Sequence, residues 1–334
     1  MNVSIIGAGS WGTALAQVLL DNQHNVLIYD IDQQVVNEIN TLHTNNTKLP
    51  NILLPESLVA TTNLKELCDF SDVMLVSVPT KVMRVTLKSL NEYLSKPIIL
   101  INTSKGIEPD TFKLVSEIAE EEIKDGYLKG FVALTGPSHA EEVILRLPTL
   151  ITSASENIEH AKFIQSLFSN QSYFRVYTLT DLRGAELGGA LKNIYAVAAG
   201  MIEGLGYGDN AKAALISRAL VEMKRLAIAK GASDETLNGL TGLGDLVVTT
   251  TSHHSRNFQA GLKLAAGKDL EEAISSIPMV VEGARTALSA YIEAHRLDIR
   301  VPLIDAVYSV IYEKTPVEKA VEAMMGRTLK DEFN

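Results

Sequence analysis

The stretch Val3-Ser4-Ile5-Ile6-Gly7-Ala8-Gly9-Ser10-Trp11-Gly12-Thr13-Ala14 decides the fold. Val3 to Ile6 is a short apolar run rich in β-branched residues, the pattern of a buried strand. Gly7, Gly9 and Gly12 then follow the spacing G-x-G-x-x-G, and Thr13 to Leu20 continues as an apolar helical pattern. Strand, glycine turn and helix in that order make a cradle for the pyrophosphate of a dinucleotide. The first glycine permits the tight turn, the second lets phosphate approach the backbone, and the third lets helix and strand pack closely. Free N–H groups at the helix start, with the helix dipole behind them, favour the phosphate charge.

Working outward, Asn25 to Tyr29 reads as a second strand closed by Asp30. Asp30 lies near the spacing of about 20 residues at which an acid meets the adenosine ribose. Leu58–Thr61, Asp72–Val78, Pro97–Ile101, Gly130–Leu134, Thr149–Thr152 and Tyr173–Tyr177 are further strand patterns, separated by helical ones. Phe112–Ile123 is read as helical, with Glu120-Glu121-Glu122 as its solvated face. The alternation predicts an α/β, Rossmann-type, doubly wound and mostly parallel sheet. Ligand contacts are then expected in the loops at strand carboxyl ends: Gly7–Gly12, Ser77–Thr80, Asn102–Gly106 and Thr135–Ala140. From Asp181 the texture changes to Ala, Leu, Gly and Glu. Gly184–Gly204, Ala211–Lys230, Gly261–Ala266, Thr286–Ala294 and Leu303–Tyr312 read as helices of an all-α C-terminal domain. The expected domains are 1–180 and 181–334.

Composition narrows the function class. A chain of 334 residues, 46% hydrophobic, is long enough for two globular domains. The net charge of −10 does not favour nucleic acid or anionic membrane as a partner. No run approaches the roughly 20 apolar residues of a membrane span. Met1-Asn2-Val3 offers no basic start, so no signal peptide is expected. The lone Cys68 excludes an internal disulfide and reads as a core residue.

Two stretches of the second domain carry chemistry. In Gly184-Ala185-Glu186-Leu187-Gly188-Gly189-Ala190-Leu191-Lys192-Asn193, Gly188 and Gly189 share the helix face of Lys192. Such a face packs tightly against another helix with Lys192 reaching outward, or it brings a reactant close to the ammonium. Two adjacent helical glycines cost roughly 1 kcal/mol each relative to alanine, which argues for the second reading. A hydride-transfer enzyme needs a proton donor beside the carbonyl oxygen, and a confined lysine can serve. The other stretch is Gly239-Leu240-Thr241-Gly242-Leu243-Gly244-Asp245-Leu246, then Thr249 and Ser252-His253-His254-Ser255-Arg256-Asn257. It reads as a glycine-rich loop followed by a helix with Ser255 as its N-cap. Asp245 can orient a cationic lysine or bond a hydroxyl, and Arg256 offers the planar fork that suits phosphate. His253-His254 lacks partners at metal-ligand spacing, so no metal is expected. His139 reads as structural.

Gly7-Ala8-Gly9-Ser10-Trp11-Gly12-Thr13-Ala14, Ser104-Lys105-Gly106, Gly136-Pro137-Ser138-His139-Ala140, the Glu186–Asn193 segment, Gly242-Leu243-Gly244-Asp245 and Ser255-Arg256-Asn257 together resemble the bacterial-type NAD(P)-dependent glycerol-3-phosphate dehydrogenases. The resemblance spans nearly the whole chain. It implies reversible reduction of dihydroxyacetone phosphate to sn-glycerol 3-phosphate for glycerophospholipid synthesis, by a cytoplasmic and commonly homodimeric enzyme using NAD(H) and/or NADP(H). It implies Lys192 as general acid/base, with Lys105 and Asp245 beside it in the catalytic set. Lys105, Gly136, Ser138, Lys192, Asn193, Asp245, Thr249, Ser255, Arg256 and Asn257 match substrate contacts. Gly7, Gly9, Ser10, Trp11, Gly12, Asp30, Lys105, Ala140, Arg256, Val280 and Glu282 match the cofactor side.

Two departures stand out. Relatives often carry a base just after the second strand, where this chain has Ile31, and Asp30 accepts a ribose hydroxyl but repels a 2′-phosphate. Arg183 replaces a usually apolar residue. Two other readings share the build: a 3-hydroxyacid or 6-phosphogluconate-type dehydrogenase, and a non-catalytic NAD(H) sensor that needs neither Lys192 nor Arg256.

Overall fold

The computed structural model describes residues 1–109, 111–275, 277, 281–329 and 331–332. Eight strands form one sheet: β1 (Asn2–Ile6), β2 (Asn25–Tyr29), β3 (Val59–Thr61), β4 (Val73–Val76), β5 (Ile98–Asn102), β6 (Leu128–Thr135), β7 (Thr149–Ala154) and β8 (Phe174–Leu179). Their spatial order is β3-β2-β1-β4-β5-β6-β7-β8. All neighbours run parallel except β6 and β7, which pair antiparallel. All eight expected strands are present. Their Val, Ile and Leu runs are buried because helices cover both faces of a parallel sheet. Strand order runs outward in both directions from β1 and β4, and in open α/β sheets the ligand crevice lies at the strand carboxyl ends of such a switch point.

The covering helices are α1 (Ser10–Asp21), α2 (Gln33–Leu42), α3 (Leu64–Phe70), α4 (Met83–Tyr93), α5 (Val115–Glu122), α6 (Ala140–Val143) and α7 (Ile158–Phe168). The helix expected from Phe112 begins only at Val115, because Phe112 has a left-handed backbone, φ 58°. The acidic run is also less solvated than expected. Arg84 on α4 pairs with Glu122 at 2.5 Å and Glu121 at 2.9 Å, as well as with Glu108 at 2.7 Å.

The remaining chain is helical: α8 (Leu182–Gly204), α9 (Asp209–Ala229), α10 (Asp234–Asn238), α11 (Asp245–Thr251), α12 (Arg256–Ala265), α13 (Leu270–Ser275), α14 (Glu282–Arg296), α15 (Pro302–Tyr312) and α16 (Val317–Met325). α8 is buried on all sides and forms the axis of this half, with α9, α11, α12 and α14 packed around it. A helix apolar all round has no solvent face to offer and must lie inside. Its small residues decide who packs there. A Cβ on Gly200 would lie 2.0 Å from the Phe258 carbonyl oxygen, so α12 touches the α8 backbone directly.

The first turns of α8 lean on the sheet. Leu182 and Ala185 join the apolar cluster under β4, β5 and α5. Buried Glu186 accepts from Ser116 N and Oγ at 3.0 and 2.5 Å, and Arg183 pairs with Glu117 at 3.2 Å. That pair accounts for Arg183. These contacts hold α8 at a set height over the strand ends, which places Lys192 in the crevice.

Candidate active site

The glycine turn has the geometry of a phosphate cradle. Gly7 has φ 104°, and a Cβ there would sit 2.5 Å from the Ser77 carbonyl oxygen. A Cβ on Gly12 would lie 2.1 Å from the Gly7 carbonyl oxygen, so α1 starts against the turn. The Gly9 position, by contrast, faces open space with nothing within 4 Å. That combination of a closed base and an open lip is what a pyrophosphate needs at a helix N-terminus. Asp30, at the end of β2, accepts from Ala8 N and Asp32 N at 3.0 Å each. Two buried hydroxyls at the strand ends, Thr80 Oγ1 and Thr135 Oγ1, have no hydrogen-bond partner among the described residues. Open lip, orphan hydroxyls and Asp30 together fit a dinucleotide across the β1–β4 crevice.

Glu282, at the start of α14, accepts from Thr80 N at 3.1 Å across the crevice. Burial pushes its carboxyl up, against the pull of the Thr80 amide. Ser10 and Arg256 make a second bridge. Arg256 sits at the start of α12 and donates to Ser10 Oγ at 2.9 Å, directly beside the glycine turn. Burial pulls the guanidinium down from its ordinary range, with only a weak counter-pull from Glu141. It forms no ion pair among the described residues. A mostly buried, unneutralised guanidinium is a ready anion site.

The centre of the crevice holds one carboxylate between two ammoniums. Asp245, 0% exposed, accepts from Lys192 Nζ at 2.7 Å and from Lys105 Nζ at 2.6 Å. Burial alone would raise the Asp245 carboxyl, but the two lysines outweigh it and hold it below its usual value. Lys192, 6% exposed, also donates to Thr249 Oγ1 at 2.6 Å. Its third N–H finds no acceptor among the described residues. Burial lowers its pKa to about 8; Asp245 opposes that shift and Lys105 adds to it. Lys105 also donates to the Gly136 carbonyl at 3.0 Å, and Ser138 Oγ donates to the same oxygen at 3.1 Å.

Local sequence explains each placement. Asn102 and Ser104 fold the β5–α5 loop back on itself. Asn102 Oδ1 accepts from Ser104 N, and Ser104 Oγ donates to the Val78 carbonyl at 2.6 Å, aiming Lys105 inward. Gly189 makes room: its Cβ would lie 3.1 Å from Thr135 Oγ1 and 3.6 Å from Lys105 Cγ. The small face of α8 therefore admits Lys105 near Lys192, while farther along the same helix it serves packing.

The stretch expected as a glycine-rich loop is instead a π-helical turn, Leu240–Gly244, running into α11. Gly244 N donates back five residues to Gly239 O at 3.1 Å. The wide turn rotates Asp245 inward, and Thr249, one helical turn on, donates to the Asp245 carbonyl at 2.6 Å.

Several other expected contacts bond within the protein itself. Asn257 Nδ2 donates to Asn193 Oδ1 at 2.9 Å, and Asn257 Oδ1 accepts from Gly283 N at 2.8 Å, so the two asparagines lock α12, α8 and α14 together. Ser255 caps α12, accepting from Phe258 N. The helix expected from Gly261 thus begins at Arg256. Ala140 is buried at the start of α6, and Trp11 is partly buried in the first turn of α1. Val280 lies outside the described residues.

His253 sits 3.3 Å from Glu203, and His254 packs its ring 5.7 Å from that of His139. Thr80 and Thr135 lie in loops where ligand contacts were expected, and Glu186 in the segment leading to Lys192, but the sequence assigned none of the three a role of its own. The signal for the two threonines was their place at strand carboxyl ends; Glu186 had none, since its partner Ser116 is 70 residues away.

Residues 2–161 match the family described as NAD-dependent glycerol-3-phosphate dehydrogenase N-terminus, and residues 181–322 match the C-terminus of that family. The chain is 48% identical over 330 residues to a glycerol-3-phosphate dehydrogenase (NAD(P)+) of Listeria monocytogenes, covering 99% of this chain and 97% of the relative. It is 50% identical over 332 residues to the one of Halalkalibacterium halodurans, covering 99% and 96%. The crystal structure of glycerol-3-phosphate dehydrogenase from Coxiella burnetii superposes with a TM-score of 0.92 at 35% identity, covering 98% of this chain and 99% of that one.

Proposed function

We infer the chemistry of the crevice from one premise: the chain belongs to the NAD-dependent glycerol-3-phosphate dehydrogenase family. It reduces dihydroxyacetone phosphate to sn-glycerol 3-phosphate with NAD(P)H, and catalyses the reverse oxidation.

The residue roles are our reading of the geometry. The turn from Gly7 to Gly12, with Ser10, Trp11 and Asp30, holds the adenosine and pyrophosphate half of the cofactor. Lys105, Ala140, Glu282 and Arg256 line its path toward the second half of the chain. Bound there, the reduced nicotinamide supplies the hydride that the ketone carbon of the substrate takes. Arg256 and the α12 N-terminus hold the substrate phosphate, and Lys105, Gly136 and Ser138 shape its other side. Asn193, Ser255 and Asn257 act mainly by fixing α8 and α12 around that phosphate.

Lys192 protonates the carbonyl oxygen as negative charge builds on it. Asp245 and Thr249 occupy two of its N–H groups, so the third is the one left to face the substrate. That single observation carries the assignment. The pKa of about 8 suits both directions: the ammonium gives its proton in reduction, and the neutral amine takes the hydroxyl proton in oxidation. After reduction the amine regains a proton from water. Asp245 keeps the site from carrying two uncompensated cations, and with Arg256 the net charge remains positive for a phosphate dianion.

The reading treats 1–180 and 181–334 as cofactor and catalytic domains, and includes a homodimer and a cytoplasmic location. Among the described residues no helix is long and apolar enough to cross a membrane. Replacing Lys192→Ala tests the central role. Turnover is expected to fall by about 10²–10⁴-fold, as loss of a general acid does, while cofactor affinity stays near that of the parent. A variant with near-normal kcat sinks the assignment.

A further inference from the structure

The cofactor half of the site carries an unusual charge pattern. No Lys or Arg occurs in the first 47 residues, which contain Asp21, Asp30, Asp32 and Glu38. These residues build β1, the glycine turn, α1, β2 and α2, the whole unit around an adenosine ribose. Asp30 is fixed there rather than free to swing away. One oxygen accepts from Ala8 N of the glycine turn and the other from Asp32 N, while Asp32 caps α2 by accepting from Gln34 N. The neighbouring Ile31 is 85% exposed and bonds to nothing that would shield the carboxylate.

The nearest cations along the chain do not reverse the field. Lys48 ends a turn whose Asn45 bonds the Ala8 carbonyl at 2.8 Å, but it is one charge against two carboxylates. Lys65, past the neighbouring strand β3, pairs with Asp69 at 2.5 Å. Arg84, past β4, is committed to Glu108, Glu121 and Glu122.

We propose that this chain selects NADH over NADPH, with Asp30 as the specificity-determining residue. A carboxylate retains acceptor capacity beyond its two backbone bonds, enough for a ribose hydroxyl. A 2′-phosphate in the same place would bring a dianion against a fixed carboxylate with no base beside it to compensate. The proposal rests on the cofactor reading given above, and it selects one of the two nucleotides that reading allows.

Binding of the full chain to NADH and to NADPH tests it, read from Trp11 emission and by calorimetry. Trp11 is the only tryptophan and sits in the turn itself, so its signal reports the site directly. NADH is expected to bind about tenfold tighter or more. Ile31→Arg, a change at an exposed position, is expected to tighten NADPH about tenfold and leave NADH nearly unchanged. Equal or tighter binding of NADPH by the parent chain overturns the proposal while leaving the cofactor site intact. An Ile31→Arg variant with no gain for NADPH also overturns it. Failure of both nucleotides to bind removes the cofactor reading itself.

Discussion

Replacing Asp245→Asn removes the charge between the two lysines and keeps the side-chain shape. The Lys192 Nζ to Asp245 Oδ1 distance is 2.7 Å. At an effective dielectric constant of about 20, unit charges at that separation attract by about 6 kcal/mol, the scale of about 4.5 pKa units. Water drawn into the emptier pocket screens most of that, so a fall of about 1–2 units is expected. Lys192 already lies near 8 because burial outweighs the help it receives from Asp245. Without the carboxylate, burial and the Lys105 charge act unopposed.

The assay is kcat/KM for dihydroxyacetone phosphate reduction between about pH 5.5 and 9.5, since this ratio reports the free enzyme. The parent should lose activity as pH rises through about 8, as the ammonium loses its proton. The variant should lose it about 1–2 units lower. In the oxidation direction the same group must be neutral, so the rising limb should move down in parallel. Some stability is also lost, about 3–5 kcal/mol at most, because an unpaired buried ammonium remains; a thermal melt confirms that the variant is folded. A limb that stays in place, or moves upward, refutes the reasoning.

Arg256→Ala should raise KM for dihydroxyacetone phosphate about 10–100-fold, the loss of a charged hydrogen bond of about 1.5–3 kcal/mol, with a smaller change in kcat. Inhibition by inorganic phosphate should weaken in step, and an unchanged KM would move the phosphate elsewhere. Glu222→Gln addresses stability. Burial pushes the Glu222 carboxyl up to about 8, although it accepts from Leu303 N and Ile304 N at the start of α15. An acid whose folded pKa is raised binds its proton more tightly when folded, so the native state loses stability as pH climbs from about 4.5 to about 8. Thermal unfolding across that window should show a shallower decline in the variant, and parallel declines in both would refute the assignment.

Most of the sheet was legible because parallel strands buried on both faces leave near-continuous apolar runs. Gly7 and Gly12 were legible for the same kind of local reason, since backbone closeness permits no other residue there, and Gly9 by the open space it leaves at the helix start. The Leu240–Gly244 turn was not. Glycines signal flexibility to a reader of sequence, and here packing of Gly242 against Leu237, where a Cβ would lie 2.1 Å from the carbonyl oxygen, turns them into a tight π-helical turn. Asn193 and Asn257 show the same limit. The resemblance implies both as substrate contacts, and their bond to each other, across 64 residues, follows only once α8 and α12 pack together.

The chain by itself therefore determined the order of elements, the glycine turn and the candidate reactive side chains. These depend on residue type and on spacing of a few positions, where local sterics and periodicity act. Tertiary structure decided the chemistry of those side chains. Lys105, Lys192 and Asp245 come from three distant segments; burial lowers the Lys192 pKa against the pull of the shared carboxylate, and the bonds to Asp245 and Thr249 leave one N–H to spare. Charge interactions of that strength exist only where folding removes water from between the partners.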